Sequence, residues 1–155
     1  MDAELDGPVG PGAPGSVNVY VDSSVLLRVI LGEPQRLAGW GSITNAISSE
    51  LIRLECLRTI DRARIQIRLT DDAASQHRAD VLHAIEAFGL VPVTSAVLHR
   101  AAEPFPTLLG SLDAVHLASA LLVREQYDEL HFATHDHGLG VAARSMGFAV
   151  VGLPA

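Results

Sequence analysis

Lysine is absent: all 11 cationic side chains of this 155-residue chain are arginines, so no chemistry that needs a lysine amine can operate here. Cys56 is the single cysteine, which excludes a disulfide framework and points to a reducing compartment, the cytoplasm. It lies inside an apolar helical pattern and reads as a buried, inert thiol. No apolar run is long enough to cross a membrane, although 48% of the residues are hydrophobic. The first sixteen residues have no cationic start and no apolar stretch, so they do not read as a secretory leader. Rich in Gly, Pro and acid, residues 1–16 are expected to be a disordered tail or an expression remnant, with one folded domain over 17–155. There is no internal repeat.

The chain has a formal net charge of −7, which at first argues against a nucleic-acid partner. Asp2, Glu4 and Asp6 carry three of those charges in the tail, leaving −4 on the remainder. If four acids were neutralised at one metal site, the rest of the domain would be neutral, so the sign decides little. Five arginines (Arg53, Arg58, Arg62, Arg64 and Arg68) fall in one short segment. They read either as a solvated helix face with acid partners or as a stripe that grips phosphate through bidentate forks.

Strand and helix patterns alternate. Val17–Val21 is β-branched and alternating, then gives way to Asp22-Ser23-Ser24 and a helix that ends at Gly32. Pro34 can open a short helix through Trp40, and Ser42-Ile43-Thr44 is a weak second strand. Ser48 or Ser49 should cap a helix over 50–64, and a further helix runs from Asp71 to Phe88. Leu90–Thr94 is an edge strand because of Pro92. Ser95 caps a short helix, and Ser111 caps a buried one. Glu129–Thr134 is a strand, His135-Asp136-His137 leads into a helix through Met146, and Phe148–Val151 is the last strand. This order implies βαβ units, hence a three-layer α/β/α domain with a central, mostly parallel sheet.

In such sheets ligands bind outside the carboxyl ends of the strands. Asp22 follows the first strand and Asp136 the fourth, which places both at one rim. Asp113 lies in the first turn of the segment Ser111-Leu112-Asp113-Ala114-Val115-His116-Leu117, too apolar all round for a surface helix. It either serves the helix dipole or is held at the mouth of a buried site. His116, three residues on, shares its face. Glu50 and Glu55 are about 140° apart around their helix and cannot both face inward. Glu50 is accounted for by a capping or dipole role, whereas Glu55 sits among leucines, so Glu55 is the fourth acid. Any one of these acids alone reads as structural; four that can converge do not.

Carboxylates about 4 Å apart repel by about 4 kcal/mol per pair at an effective dielectric of about 20. They stay ionised only beside a cation, and hard oxygen donors select Mg²⁺ or Mn²⁺. Such a site suits hydrolysis of a phosphodiester.

Val21-Asp22-Ser23-Ser24-Val25-Leu26, Glu55-Cys56-Leu57-Arg58, Leu112-Asp113-Ala114-Val115-His116-Leu117-Ala118 and Ala133-Thr134-His135-Asp136 resemble, in order, the motifs of PIN domains, and most nearly those of VapC-type toxins. The resemblance spans about 17–153. It implies a Mg²⁺- or Mn²⁺-dependent endoribonuclease, a homodimer, a VapB-type antitoxin and a structured RNA target cut in single-stranded loops. Asp22, Glu55, Asp113 and Asp136 match the acidic quartet as catalytic and metal-holding residues. Thr134 matches a hydroxyl near the metal, and His116 is expected to pack behind the acids rather than ligate. His135 and His137 read as exposed loop imidazoles. Arg53, Arg58 and Arg62 are candidates for RNA or antitoxin contact. The loop His137-Gly138-Leu139-Gly140 departs from relatives in lacking basic residues. A receiver domain is excluded by the missing lysine, and a haloacid-dehalogenase-type phosphatase by Ser24 where a second Asp is needed. The remaining alternative is a catalytically silent module that binds RNA or an antitoxin.

Overall fold

The computed structural model describes residues 16–154, so the expectation of a tail over 1–16 falls, except for Ser16, outside the described residues. Five parallel strands form one sheet in the order β3-β2-β1-β4-β5. They are β1 (Asn18–Val21), β2 (Asn45–Ser49), β3 (Gly89–Val91), β4 (Leu130–Ala133) and β5 (Val150–Val151). Six helices surround them: α1 (Ser23–Ile30), α2 (Leu51–Gln66), α3 (Asp71–Glu86), α4 (Ser95–Ala102), α5 (Ser111–Val123) and α6 (His137–Ser145). No helix among the described residues is long and apolar enough to cross a membrane.

The two-residue period of β1 divides the core. Val19 and Val21 face α1, α2 and α3, packing with Val25, Leu26, Ile52 and Val81. Tyr20 points the other way, into a cluster with Phe132, Leu117 and Leu139 beneath α4, α5 and α6. Its ring stacks on Phe132 with centroids 5.2 Å apart. Both faces of β1 are covered, which is the normal state of a parallel strand and explains its nearly unbroken apolar sequence.

The second strand corrects the sequence expectation. It is Asn45–Ser49, not 42–44; Trp40–Ser42 is a 3-10 turn, and no α-helix follows Pro34. A polar strand can be fully buried here because its side chains find partners on β1. Asn45 Nδ2 donates to Asn18 Oδ1 at 2.7 Å, and Ser48 Oγ donates to the Val21 carbonyl at 2.7 Å. Ser48 therefore caps nothing, while Ser49 Oγ accepts from Leu51 N at 3.1 Å. Thr94 rather than Ser95 caps α4, and Gly110 stands at the N-cap of α5 in place of Ser111. Pro92 follows β3, which is an edge strand as its proline requires.

The β1–β4 register pairs Val21 with Ala133, and Asp22 N donates to the Ala133 carbonyl at 3.0 Å. The two chains thus leave the sheet side by side, one into Asp22 and the other into Thr134 and Asp136.

Candidate active site

Asp22 is 3% exposed and is held from two directions. Ser24 Oγ, in the first turn of α1, donates to its Oδ2 at 2.7 Å, and the buried Thr134 Oγ1 donates to the same oxygen at 2.9 Å. Each hydroxyl also accepts from the turn after β4: Ser24 from His135 N at 3.1 Å, Thr134 from Asp136 N at 3.0 Å. These bonds lace the ends of β1 and β4 together. Asp136 is the N-cap of α6, its Oδ1 accepting from Leu139 N at 2.8 Å.

Glu55 enters from α2. Ser23 Oγ lies 3.4 Å from both Glu55 Oε2 and Asp22 Oδ1, linking the two acids. His116, fully buried on α5, contacts Glu55 Oε1 through Nε2 and stands 3.9 Å from Asp22 Oδ1. Its Nδ1 is 2.8 Å from the Tyr20 hydroxyl. Burial pulls the imidazole pKa down, but the bond to Glu55 and the charges of Asp22, Glu55 and Asp113 outweigh it, and the net shift is upward. In its protonated form both ring N–H groups are used, toward Tyr20 and toward Glu55. Burial pushes the Tyr20 hydroxyl far above its usual range, so it stays protonated. The Cys56 thiol, also buried, is pushed up chiefly by desolvation, then by Glu55 and Asp22, which keeps it inert.

Asp113, one turn before His116, has its carboxyl pushed up to about 6. Desolvation is the largest cause, followed by the charges of Asp22 and Asp136; His116 lowers it and Glu55 adds a further rise. All three other acids of the quartet are therefore close enough to act on this one group. The carboxyl makes no hydrogen bond among the described residues, so His116 alone offsets part of the repulsion. Glu50, the rejected alternative, points elsewhere: its Oε1 accepts from Val93 N at 2.9 Å.

As the side chains stand, no group of three or more His, Cys, Asp or Glu among the described residues is arranged to hold a metal ion. Glu55 is drawn onto His116, Asp22 Oδ2 onto two hydroxyls, and one Asp136 oxygen onto its helix. The donor set nevertheless suits a hard divalent cation in kind. Both Asp113 oxygens and Asp136 Oδ2 make no hydrogen bond among the described residues, Glu55 Oε2 has only the long Ser23 contact, and Asp22 Oδ1 has that contact and His116 Nε2 at 3.9 Å.

Arg53 and Arg58 border a groove against α3 together with Arg78, and Arg62, four residues beyond Arg58 and so on its side of the helix, donates to Thr59 Oγ1 at 3.4 Å. Arg58 pairs with Asp61 at 3.1 Å, and Arg64 with Asp71 at 2.6 Å, both exposed. From sequence, Ser23 or Ser24 reads as the cap of the helix after β1, whereas the N-cap is Asp22. The role of the two serines as donors to Asp22 and Glu55 had one available signal: a hydroxyl doublet directly after a strand-end acid.

A five-stranded, all-parallel sheet flanked by helices, with Asp22 and Asp136 following adjacent strands at its carboxyl rim, is the architecture of a PIN domain. The family model described as PIN domain matches residues 19–144, and the chain belongs to that family. Within the family it is of the VapC type. It is 30% identical over 137 residues to Ribonuclease VapC47 of Mycobacterium tuberculosis, covering 84% of this chain and 93% of that protein. It is likewise 30% identical over 136 residues to Ribonuclease VapC46 of the same species, covering 86% and 95%.

Proposed function

We propose that this chain is a metal-dependent endoribonuclease, the toxin of a toxin–antitoxin pair, with residues 17–155 as its nuclease domain. One observation carries the reading: Ser23 Oγ lies 3.4 Å from both Asp22 Oδ1 and Glu55 Oε2, and His116, one turn beyond Asp113 on α5, contacts Glu55 and stands 3.9 Å from Asp22. With Thr134, two residues before Asp136, bonded to Asp22, these contacts draw the four acids toward one rim, an arrangement that suits a cation. Similarity to two VapC ribonucleases supports RNA as the substrate.

Asp22, Glu55, Asp113 and Asp136 would hold Mg²⁺ or Mn²⁺. When bound, the ion supplies an acidified water as nucleophile and positive charge against the leaving oxygen of the phosphodiester. Ser24 and Thr134 fix one oxygen of Asp22 and leave the other directed at the rim. His116, backed by Tyr20, fixes one oxygen of Glu55 in the same way. Asp113 and Asp136 keep oxygens free for the ion. The partners are RNA, a VapB-type antitoxin and a second copy of the chain, in the cytoplasm.

The test is cleavage of RNA by the purified protein with Mn²⁺, with and without chelator, beside Asp113→Asn. Cleavage that needs the ion and falls at least about a hundredfold in the variant is expected. Metal-independent binding with no cleavage would instead establish a silent RNA- or antitoxin-binding module.

A further inference from the structure

A second feature opens beside the rim. The segment after α1 and the segment after β5 enclose a groove of about 630 Å³, lined by Arg28, Arg36, Leu37, His135, Gly152 and Leu153 among others. Among the described residues no aspartate or glutamate side chain lines it, although the chain as a whole carries a net −7. Its wall is cationic: Arg28 from the last turn of α1 and Arg36 from the following loop. Arg28 Nη1 donates to the Gln35 carbonyl at 3.2 Å, which ties the guanidinium to that loop. Its contact with Glu33, at 3.7 Å and half-exposed, is weak and leaves most of its donors available. Arg36 is exposed and makes no ion pair or hydrogen bond among the described residues. Leu37, Val151, Leu153 and Pro154 supply an apolar side.

His135, which lines the groove, lies between Thr134 and Asp136 in the chain and so joins it to the turn at the rim. Its Nδ1 bonds the Gly152 carbonyl at 2.7 Å, and its buried Nε2 has no partner among the described residues. Arg28 is six residues along α1 from Asp22, a rise of about 9 Å along the helix axis. A cationic wall facing an apolar one is what a nucleotide needs: bidentate forks for the phosphate and a dry surface for the sugar or base.

We propose that this groove is a subsite for the substrate strand, holding a backbone phosphate beside the scissile one on Arg28 and Arg36. It rests on the ribonuclease reading and assigns the strand a direction of exit past His135 that the acids alone do not specify. The groove, not the first turn of α6, which carries no arginine, is then the cationic contact at this edge of the site.

The experiment is binding of a short single-stranded RNA to the full chain in chelator, so that nothing is cut, across a salt series. The variants are Arg36→Gln, Arg28→Gln and, as a distant control on α6, Arg144→Gln. Arg36→Gln should weaken binding about tenfold, the usual loss for one charge-assisted contact. The log–log salt slope should become shallower by about 0.7, the value for one phosphate contact on a single strand. Mn²⁺ affinity and the melting temperature should be unchanged in Arg36→Gln, and Arg144→Gln should match the parent. Unaltered RNA affinity and slope in both groove variants, with a parent that binds RNA, would overturn the subsite while leaving the nuclease standing. A parent that neither binds nor cleaves RNA would remove the nuclease reading and the subsite together. Loss of affinity for a glutamate-rich peptide, with RNA binding intact, would reassign the groove to a protein partner and also overturn it.

Discussion

Asp22 and Asp113 bring the same carboxyl group into opposite surroundings. Sequence reasoning treats them alike, as repelling charges whose removal should leave stability unchanged or raised without metal. The structure separates them. Asp113 has no hydrogen-bond donor among the described residues and a pKa of about 6 against an ordinary 3.8. The folded state thus holds this proton better than the unfolded one, so its contribution is most favourable below the ordinary value and declines as pH rises through about 6. Asp113→Asn should therefore match the parent in acid and exceed it by about 1 kcal/mol above that window, after discounting for a half-exposed carboxyl. Asp22 instead accepts from Ser24 and Thr134 and faces His116. Asp22→Asn should cost about 1–3 kcal/mol. That cost should be greater where His116 is protonated, because the raised pKa of His116 stabilises the fold at low pH and the benefit fades as pH climbs through its folded value. Urea melts in chelator at several pH values check both; equal, large destabilisation by the two variants would show Asp113 to be a structural acid.

At the level of elements, the segment after β5 clamps the site from behind. Gly152 has φ +98°, and a Cβ there would lie 2.7 Å from the Thr134 carbonyl oxygen and 3.3 Å from His135 Nδ1. Gly152→Ala should lower stability by about 2 kcal/mol or more, through the left-handed backbone and a clash with main chain. It should also reduce cleavage by displacing the turn that carries Thr134 and Asp136; melting curves and Mn²⁺-dependent assays read the two effects separately. The strand–helix alternation, the parallel sheet and the placement of Asp22 and Asp136 were legible because each follows from periodicity and chain order. β2 was not, because Asn45, Ser48 and Ser49 look like turn and cap residues until their partners on neighbouring segments are known. Caps slipped by one residue, from Ser95 to Thr94 and from Ser111 to Gly110, since adjacent residues compete for one helical start. The choice of Glu55 over Glu50 followed from helical angle, but the hold of His116 and Tyr20 on it depends on β1 and α5 meeting across 96 residues. No local pattern encodes that.

For the whole molecule, the exposed leucines are unevenly placed. Of the six among the described residues, Leu54 lies on α2 and Leu90 on β3, while Leu98, Leu108, Leu112 and Leu122 belong to α4, α5 or the loop between them, and Leu108 is fully exposed. A second copy of the chain is the natural cover for these residues in the proposed homodimer. Leu108→Ser combined with Leu112→Ser should shift the protein toward monomer mass in light scattering with its melting temperature within a few degrees of the parent; an unchanged mass would place the dimer contact elsewhere. The strand order has a consequence in time as well as space. β1 is made first yet lies in the middle of the sheet, and its neighbour on the rim side, β4, is made only after α5. During synthesis the first acid waits for more than a hundred residues before the last can join it. A ribosome-bound fragment ending short of β4 carries Asp22, Glu55 and Asp113 without the turn that bears Thr134 and Asp136, so whatever the assembled rim can do to a cell, an unfinished chain cannot do.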